Sequence, residues 1–366
     1  MTQNIGSERI HLWHVLVTRF SYRAGNDASS QRKAMGFEAG RQNFDPLDPD
    51  RLELRCATFE LACAPSILAQ TSQDFDWIII IDKLLSAHYR DRVLQCVADR
   101  PRTHLHEFSA SEELSRSDWL ARYAPANATH LVTTNLDDDD ALPSNFVSAL
   151  HSSILRAESL PPLMTLGVKS GLYWELLSTK KSPLGYRCSA FFKDLVRASG
   201  FTLLCRYPNG GLTVFSISHV LADSWFTLGD CQERDKSGLL KREISYFRTT
   251  AGSVLDSAIV WAYEQKIDPF IDLSEFTGPV VLTNHFANDQ TLRLLARKPD
   301  RRPVTGSRDF PGTALRLDRF HGHSVLFRKS LRVLRQQLRQ VDYGDQISFA
   351  RRLRQSIWMV WRFAHL

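Results

Sequence analysis

Several features that mark specialised classes of protein are missing from this sequence. The six cysteines form no C-x-x-C pair and no disulfide-like spacing, so we expect reduced, mostly buried thiols and no cysteine-ligated zinc. No apolar run reaches the length of a membrane-spanning helix, and the N-terminus lacks the apolar core of a signal peptide. We find no internal repeat. These absences predict a cytoplasmic globular protein and give no reason to expect secretion.

The net charge of +6 is unevenly distributed along the 366 residues. Residues 297–366 contain 16 basic and 5 acidic residues, a net +11, so residues 1–296 carry a net −5. The basic character therefore belongs to a C-terminal tail. The chain is 43% hydrophobic and long enough for one large domain or two.

Apolar extended runs alternate with helical patterns over the first part of the chain. The predicted elements are a strand at 11–20, a helix from 51 that Pro65 breaks or kinks, a strand at 77–82, a helix at 88–98, a strand at 103–108 and a strand from 129. This order is typical of an α/β fold with a doubly wound mixed sheet and helices on both faces.

The pattern is looser after residue 142. We predict a helix at 145–157, strands at 163–177, 210–220 and 280–283, and a short helix at 256–265. Residues 21–50 are predicted to form a long polar loop.

The predicted strand that begins at Thr129 ends in four consecutive carboxylates, Asp137–Asp140. Adjacent like charges repel, and a divalent cation such as Mg²⁺ or Mn²⁺ removes that cost by binding their oxygens. Side chains alternate in an extended segment, so we expect Asp137 and Asp139 to form the metal-facing pair and Asp138 and Asp140 to point the other way. In an open α/β sheet, ligands bind beyond the carboxyl ends of the strands.

A simpler interpretation makes the four acids a solvated turn, with Asp140 or Ser144 capping the next helix. One cap needs one acid, which leaves the others unexplained. Right-handed crossovers would bring the acids to the same edge of the sheet as Thr18, Arg19 and Asp82, which end two other predicted strands.

The tail beyond residue 320 has an amphipathic helical pattern. Apolar residues recur at helical spacing from Phe327 to Val341 with arginines beside them, and Trp358 and Trp361 follow in a second basic segment. Such helices bind anionic membrane surfaces, although the apolar stripe could instead pack on the preceding domain. We expect no nucleic acid partner, because no base-stacking platform is evident. The predicted organisation is a domain at 11–296, a linker at 297–320 and a basic tail at 321–366.

Four sequence blocks resemble a bacterial family of rhamnosyltransferases within the GT-A-type glycosyltransferases. They are H-V-L-V-T-R-F at 14–20, R-x-x-x-F-x-x-x-C-x-P-S-I-x-x-Q at 55–70, D-F-D-W-I-I-I-I-D at 74–82 and L-D-D-D-D-A-L at 136–142. Weaker similarities lie at 213–219 and 284–288. The resemblance covers residues 11–290, and the family has an asparagine at the position of Asp138.

The resemblance implies a GT-A-like fold and a DxD-like motif that binds Mn²⁺ or Mg²⁺ together with the diphosphate of a nucleotide sugar. It implies that Asp137 lies near the ribose and the metal, that Asp139 is the closest metal ligand, and that Asp140 lies toward the donor sugar. It implies further that Asp82 contacts the base.

Thr18 and Arg19 would help to hold the nucleotide, again by resemblance. The general base is not identified by the sequence, and Asp223 and Asp230 are candidates that could equally be turn or cap residues. His285 is a candidate metal or phosphate contact, with a structural histidine as the alternative.

The leading hypothesis is a metal-dependent glycosyltransferase of polysaccharide biosynthesis that uses a nucleotide-sugar donor, with dTDP-L-rhamnose suggested by the family label alone. The acceptor would be a surface glycan or a lipid-linked molecule, and the tail would hold the enzyme at the inner face of the plasma membrane. Two alternatives are a nucleotidyltransferase with the same acid cluster and a non-catalytic, membrane-associated nucleotide or carbohydrate binder.

Overall fold

The structure is a computed structural model that describes residues 2–5, 8–21, 45–108, 112, 114–157, 159–177, 185–192, 196, 198–208, 211–217, 270–277 and 280–284. The described strands are β1 Thr2–Ile5, β2 Glu8–Phe20, β3 Asp76–Ile81, β4 Thr103–Glu107, β5 His130–Asp137, β6 Leu163–Gly167, β7 Ser170–Leu177, β8 Gly185–Phe192, β9 Thr202–Arg206, β10 Phe270–Asp272 and β11 Val280–Asn284. The α-helices are α1 Pro49–Thr58, α2 Ala64–Leu68, α3 Ala87–Val97 and α4 Phe146–Leu155. The predicted helix at 256–265, the linker and the tail lie outside the described residues.

A mixed sheet with the strand order β10-β6-β9-β5-β2-β3-β4 forms the centre of the described structure. Neighbours β5, β2, β3 and β4 are mutually parallel, whereas β9 runs antiparallel between β5 and β6. Strand β1 pairs with the start of β2. The predicted α/β class with a mixed sheet is therefore confirmed. Strands β11, β7 and β8 form a second, smaller sheet.

Both faces of the central sheet are covered, by different kinds of helix. Side chains of β2 alternate between two apolar clusters, with Leu16 in one and Val17 in the other. The first cluster contains the buried faces of all four α-helices. The second includes residues of two short 3₁₀ helices, Asp118–Tyr123 and Val214–Ser216. Among the described residues, no helix is long and apolar enough to cross a membrane.

A π-helical turn joins α1 to α2, where Pro65 was predicted to break or kink the helix. Proline has no N–H group to donate to the preceding turn. The helix accommodates it with one wider turn, Phe59–Cys63, in which the Ala64 N–H donates to the Phe59 carbonyl. The helical segment therefore continues past Pro65, and α2 begins there.

Two predicted strands differ from the structure, and four described strands were not predicted. The single strand predicted at 163–177 is two strands, β6 and β7, which belong to different sheets. The strand predicted at 210–220 is wrong over the described residues 211–217: the Thr213 side chain caps a 3₁₀ helix there through a reciprocal pair of bonds with Phe215 and Ser216. Strands β1, β8, β9 and β10 were not predicted.

A buried chain of hydrogen bonds connects α4 to the sheet. His14 on β2 lies 2.9 Å from both His151 Nε2 and Thr134 Oγ1, and Thr134 Oγ1 lies 2.7 Å from Thr202 Oγ1. Because Thr202 donates to the Gly200 carbonyl, Thr134 donates to Thr202 and His14 Nε2 donates to Thr134. A neutral His14 then accepts at Nδ1 from His151 Nε2. Burial favours the neutral form of both imidazoles, because it lowers their pKa values.

This histidine pair predicts a loss of stability in mild acid. Burial lowers the pKa of His14 well below its usual value and that of His151 from 6.5 to about 4. Between pH 6.5 and about 4, the histidines of the unfolded chain bind more protons than those of the folded chain. The stability is therefore fully present above about pH 6.5 and is lost as the pH falls toward 4, by about 3 kcal/mol for His151 alone.

Melting temperatures measured from pH 7.5 to 4.5 should fall more steeply for the wild-type protein than for a His14→Gln/His151→Gln double variant. Val147→Ala, on the same helix, serves as the control: it removes buried apolar volume and should lower the melting temperature while keeping the wild-type pH dependence. Equal pH slopes in the wild-type and double-variant proteins would contradict the assignment of this acid sensitivity to the pair.

Candidate functional site

Three parallel strands end side by side at one edge of the central sheet. In the register of β2 and β5, Arg19 lies opposite Asp137, and in that of β2 and β3, Phe20 lies opposite Ile81. Asp82 follows immediately after β3. The predicted meeting of Arg19, Asp82 and the four acids at one edge is therefore what the strand order and register produce.

The segment Asp137–Asp140, here named the acid turn, folds back at the end of β5. The Asp140 N–H lies 3.2 Å from the Asp137 carbonyl, so the predicted extended alternation of side chains ends at Asp137 and is wrong beyond it. Asp138, Asp139 and Asp140 are only 3%, 9% and 6% exposed. This burial rules out the solvated turn. The cap position of α4 is occupied by Asn145 rather than by either residue proposed from the sequence.

Asp138 is held by an arginine from α1. Arg55 Nη1 lies 2.8 Å from Oδ1 and 2.7 Å from Oδ2 of Asp138, and the two side chains are 23% and 4% exposed. Burial raises the pKa of the Asp138 carboxyl above its usual value, while the Arg55 charge opposes that rise. The charge that Asp138 adds, relative to the asparagine of the resembling family, therefore has a buried counter-charge.

Asp137 is contacted by a different arginine. Arg19 Nη2 lies 3.1 Å from Asp137 Oδ1, and the two side chains are 36% and 32% exposed. The Arg19 guanidinium also lies 5.2 Å from the centre of the Phe215 ring, within the range of a cation–π interaction. The Arg19 guanidinium therefore contacts both the Asp137 carboxylate and the face of the Phe215 ring.

A loop before β9 supports the acid turn from the other side. Ser199 Oγ donates to Asp140 Oδ2 and accepts from the Asp137 N–H at 3.3 Å, so one hydroxyl joins both ends of the turn. Gly200 has φ +83°, and a Cβ there would lie 3.2 Å from the Phe146 ring, so this position favours glycine on both counts. The loop therefore depends on glycine to place Ser199.

Asn135 connects the same loop to Asp137. Its Nδ2 donates to the Ala198 carbonyl at 3.0 Å and lies 3.5 Å from Asp137 Oδ1. Its Oδ1 is buried, and within the described part of the chain it has no hydrogen-bond partner. An acceptor oxygen without a partner next to an acidic cluster is unusual and marks a place where a donor or a cation would be stabilised.

Strand β11 connects the end of the acid turn to the second sheet. The N–H and carbonyl groups of Ala141, which follows Asp140, exchange two backbone hydrogen bonds of 2.9 Å with Val281. The turn is thus connected to helix α1, to the loop before β9 and to β11.

Two other predicted contact residues, Thr18 and Asp82, make hydrogen bonds within the protein. The Thr18 side chain is fully buried, and its hydroxyl accepts a 3.0 Å hydrogen bond from the Trp77 indole, so it faces the core rather than the strand-end edge. This is a correction of the predicted nucleotide contact, and it arises because alternate side chains of β2 face opposite sides of the sheet. One carboxylate oxygen of Asp82 accepts from the Leu84 N–H, which shapes the loop after β3.

The remaining predicted residues, Asp223, Asp230 and His285, lie outside the described residues. Arg55 and Ser199 were not predicted as site residues. Arg55 begins one of the sequence blocks that carry the family resemblance, so a signal for it existed. Nothing in the sequence around Ser199 indicated its contacts, because they depend on where β9 inserts.

The donor set of the acid turn suits a hard divalent cation. Among the described residues, no three histidine, cysteine, aspartate or glutamate side chains converge as a complete metal site. Magnesium in nucleotide sites is commonly held by one or two carboxylates together with substrate phosphates, so a complete protein shell is not required. The carboxylates of Asp137 and Asp139 and the unpartnered oxygen of Asn135 are oxygen donors of the type that such a partial shell uses.

Removal of Arg55 and removal of the Asp138 charge should lower the free energy of unfolding by different amounts. Arg55→Gln leaves a buried carboxylate without its counter-charge and should lower the free energy of unfolding by about 3–5 kcal/mol. Asp138→Asn should cost clearly less, because its amide oxygen still accepts from Arg55 and burial already disfavours the charge of Asp138.

Urea unfolding at neutral pH measures both effects. Arg90→Gln is the matched control, since Arg90 pairs with Glu107 at 2.7 Å with side chains 33% and 51% exposed and should change stability by about 0–1 kcal/mol. An Arg55→Gln loss no larger than that of the control would refute a structural role for the pair.

Comparison with known proteins agrees with the sequence resemblance. Residues 13–182, a little under half of the chain, match a family described as "Putative rhamnosyl transferase". No curated protein sequence matches the chain at a significant level.

Similar solved structures include three sugar or nucleotide transferases. Mouse Xyloside xylosyltransferase 1 is 9% identical with a TM-score of 0.26, and the match covers 72% of this chain and 85% of that one. The WbbM bifunctional glycosyltransferase is 9% identical with a TM-score of 0.25, covering 72% of this chain and 38% of that one. The inositol-1-phosphate CTP transferase from T. maritima is 12% identical with a TM-score of 0.20, covering 53% and 71%.

At these identities and TM-scores the structural likeness carries no conclusion about activity. The family match does not depend on it, and it includes all four sequence blocks in full. Residues 13–182, which contain the end of β2, the acid turn, Arg19 and Arg55, are thus similar to the family described as "Putative rhamnosyl transferase".

Proposed function

We propose that this protein is a metal-dependent glycosyltransferase that transfers a sugar from a nucleoside-diphosphate donor to a glycan or lipid-linked acceptor. One observation carries the proposal most directly: a buried acid turn ends β5 beside the ends of β2 and β3. This is the edge of an α/β sheet at which ligands bind. The family match over residues 13–182 supports the same reaction and suggests rhamnose as the sugar.

The charges at this edge suit a diphosphate held together with a cation. The acid turn carries four negative charges, and Arg19 and Arg55 bring two positive ones, so these six residues sum to −2. A bound Mg²⁺ or Mn²⁺ would balance that charge and stabilise the nucleoside diphosphate that leaves as the sugar is transferred. Asp139 and Asp137 are the proposed ligands, and Arg19 is the proposed contact to the phosphate oxygens.

The residues that hold the acid turn prepare it for this role. Arg55 fixes Asp138, and Ser199 fixes Asp137 and Asp140, so ligand binding need not order the turn. Catalytic groups held in advance by such supporting contacts lose less free energy to reorganisation. Asp223 and Asp230 remain sequence-based candidates for the general base, and His285 remains one for a further metal or phosphate contact.

Product analysis distinguishes this reaction from nucleotidyl transfer, which can use the same acids. Incubation of the protein with Mn²⁺ and a panel of nucleotide sugars should release nucleoside diphosphate. Release of pyrophosphate from nucleoside triphosphates and sugar phosphates would instead support a nucleotidyltransferase.

Asp139→Ala is expected to abolish metal-dependent nucleotide binding, because it removes the proposed closest metal ligand. Binding of dTDP, UDP and GDP, measured by calorimetry with and without Mn²⁺, should show at least a tenfold loss in the Mn²⁺ arm, the size expected when a charged hydrogen-bonding or coordinating partner is removed. Asp91→Ala, an exposed acid on α3, should bind as the wild-type protein does. If the wild-type protein binds these nucleotides with the same affinity with and without metal, the result would favour the alternative of a non-catalytic nucleotide or carbohydrate binder.

We also propose that the basic tail at 321–366 binds anionic membrane surfaces near the acceptor. Sequence alone supports this, through the arginines beside the apolar stripe at 327–341. The 366-residue chain should sediment with phosphatidylglycerol-containing vesicles at low salt. Replacement of Arg328, Arg332, Arg335 and Arg339 by Gln should weaken that binding, and sedimentation equal to the wild-type protein would count against it.

A further inference from the structure

The two arginines at the acid turn bind their carboxylates in different ways. Arg55 contacts both oxygens of a nearly inaccessible carboxylate, whereas Arg19 makes one 3.1 Å contact to a carboxylate that is 32% exposed. An exposed pair with a single contact is weak and readily exchanged, while a buried one is not. Among the described residues, the acid turn therefore has a fixed counter-charge in Arg55 and an exchangeable one in Arg19.

We propose that Arg19 is an internal counter-ion that occupies Asp137 in the absence of ligand and moves to the diphosphate when a divalent cation binds Asp137. This inference rests on the proposed function and deepens it. The exchange is balanced in charge: Asp137 replaces a guanidinium with a metal ion, and the guanidinium replaces a carboxylate oxygen with a phosphate oxygen. No bond is made or broken covalently.

The surroundings of Arg19 allow both positions. The residue is the last but one in β2, so its backbone is fixed by pairing to β3 and β5 while its side chain is 36% exposed. The Phe215 ring, 5.2 Å from the guanidinium, provides a surface along which the planar group can shift without losing its cation–π contact. Guanidinium groups bind phosphate oxygens as well as they bind carboxylates.

Asn135 keeps Asp137 in place during the exchange. Its Nδ2 approaches the same Oδ1 atom of Asp137 that Arg19 contacts. Its own Oδ1 is buried, and none of the described residues donates to it. The Asp137 carboxylate therefore retains a neighbouring donor when Arg19 leaves, and an oxygen suited to a cation or to a hydroxyl lies beside it.

The exchange of Arg19 couples the binding of the cation to the binding of the diphosphate. A cation on Asp137 releases Arg19 for the diphosphate, and a diphosphate that binds Arg19 exposes Asp137 to the cation. Each should therefore tighten the other by the same factor, as linkage requires. Without Arg19 the cation would meet no competitor, but the diphosphate would lose a charged donor.

The test measures Mn²⁺ alone, by the electron paramagnetic resonance signal of free Mn²⁺, and then dTDP, UDP and GDP at saturating Mg²⁺ by calorimetry. Arg19→Gln should bind Mn²⁺ alone about two- to fivefold tighter than the wild-type protein, the range expected from losing an exposed ion pair. The same variant should bind the preferred nucleotide at least about tenfold more weakly, because a charge-assisted contact is gone. The factor by which nucleotide tightens Mn²⁺ should shrink.

Two further variants make the result decisive. Arg19→Met keeps the aliphatic stem against Phe215 and should repeat both changes if Arg19→Gln folds poorly. Arg90→Gln removes one positive charge from a comparably exposed pair and should leave both affinities unchanged, which separates exchange at Asp137 from a general effect of net charge.

Mn²⁺ affinity that is unchanged or weaker in both Arg19 variants would overturn the exchange, as would a complete lack of Mn²⁺ binding. A failure of every nucleotide to bind the wild-type protein, combined with tighter Mn²⁺ binding by the variants, would reject the proposed glycosyltransferase. It would leave the displacement of Arg19 from Asp137 intact.

Discussion

Electrostatic repulsion within the acid turn is the constraint on which the site depends. Four adjacent carboxylates, three of them buried, would destabilise the end of β5 if no positive charge faced them. Arg55 of α1 and Arg19 of β2 reduce this repulsion by pairing with Asp138 and Asp137. Two of the elements beside the turn, α1 and β2, therefore also offset part of its charge.

The fold brings these charges together through the order of its strands. Because β2 lies between β5 and β3, its last residues face the acid turn on one side and the end of β3 on the other. Arg55, one turn before the π-helical turn, reaches Asp138 from α1. Antiparallel β9 then brings Ser199 to the opposite side of the turn.

The first half of the fold was predictable because its signals are local. The apolar run of β3 and the alternating faces of β2 specify strands without knowledge of their neighbours. In the second half only β11 matched its prediction among the described elements, because strands such as β9 and β10 are short and their pairing depends on distant partners. The segment at 211–217 resembled a strand by composition, yet the Thr213 cap made it a 3₁₀ helix.

The sequence by itself determined that four acids end a buried strand, and that Arg19 and Asp82 end its neighbours at the same edge. Only the tertiary structure decided which cation or hydroxyl faces which acid. Arg19, Arg55 and Ser199 are 118, 83 and 59 residues away from their carboxylate partners. Contacts over such separations are set by strand order and helix packing, and residue spacing along the chain carries no record of them.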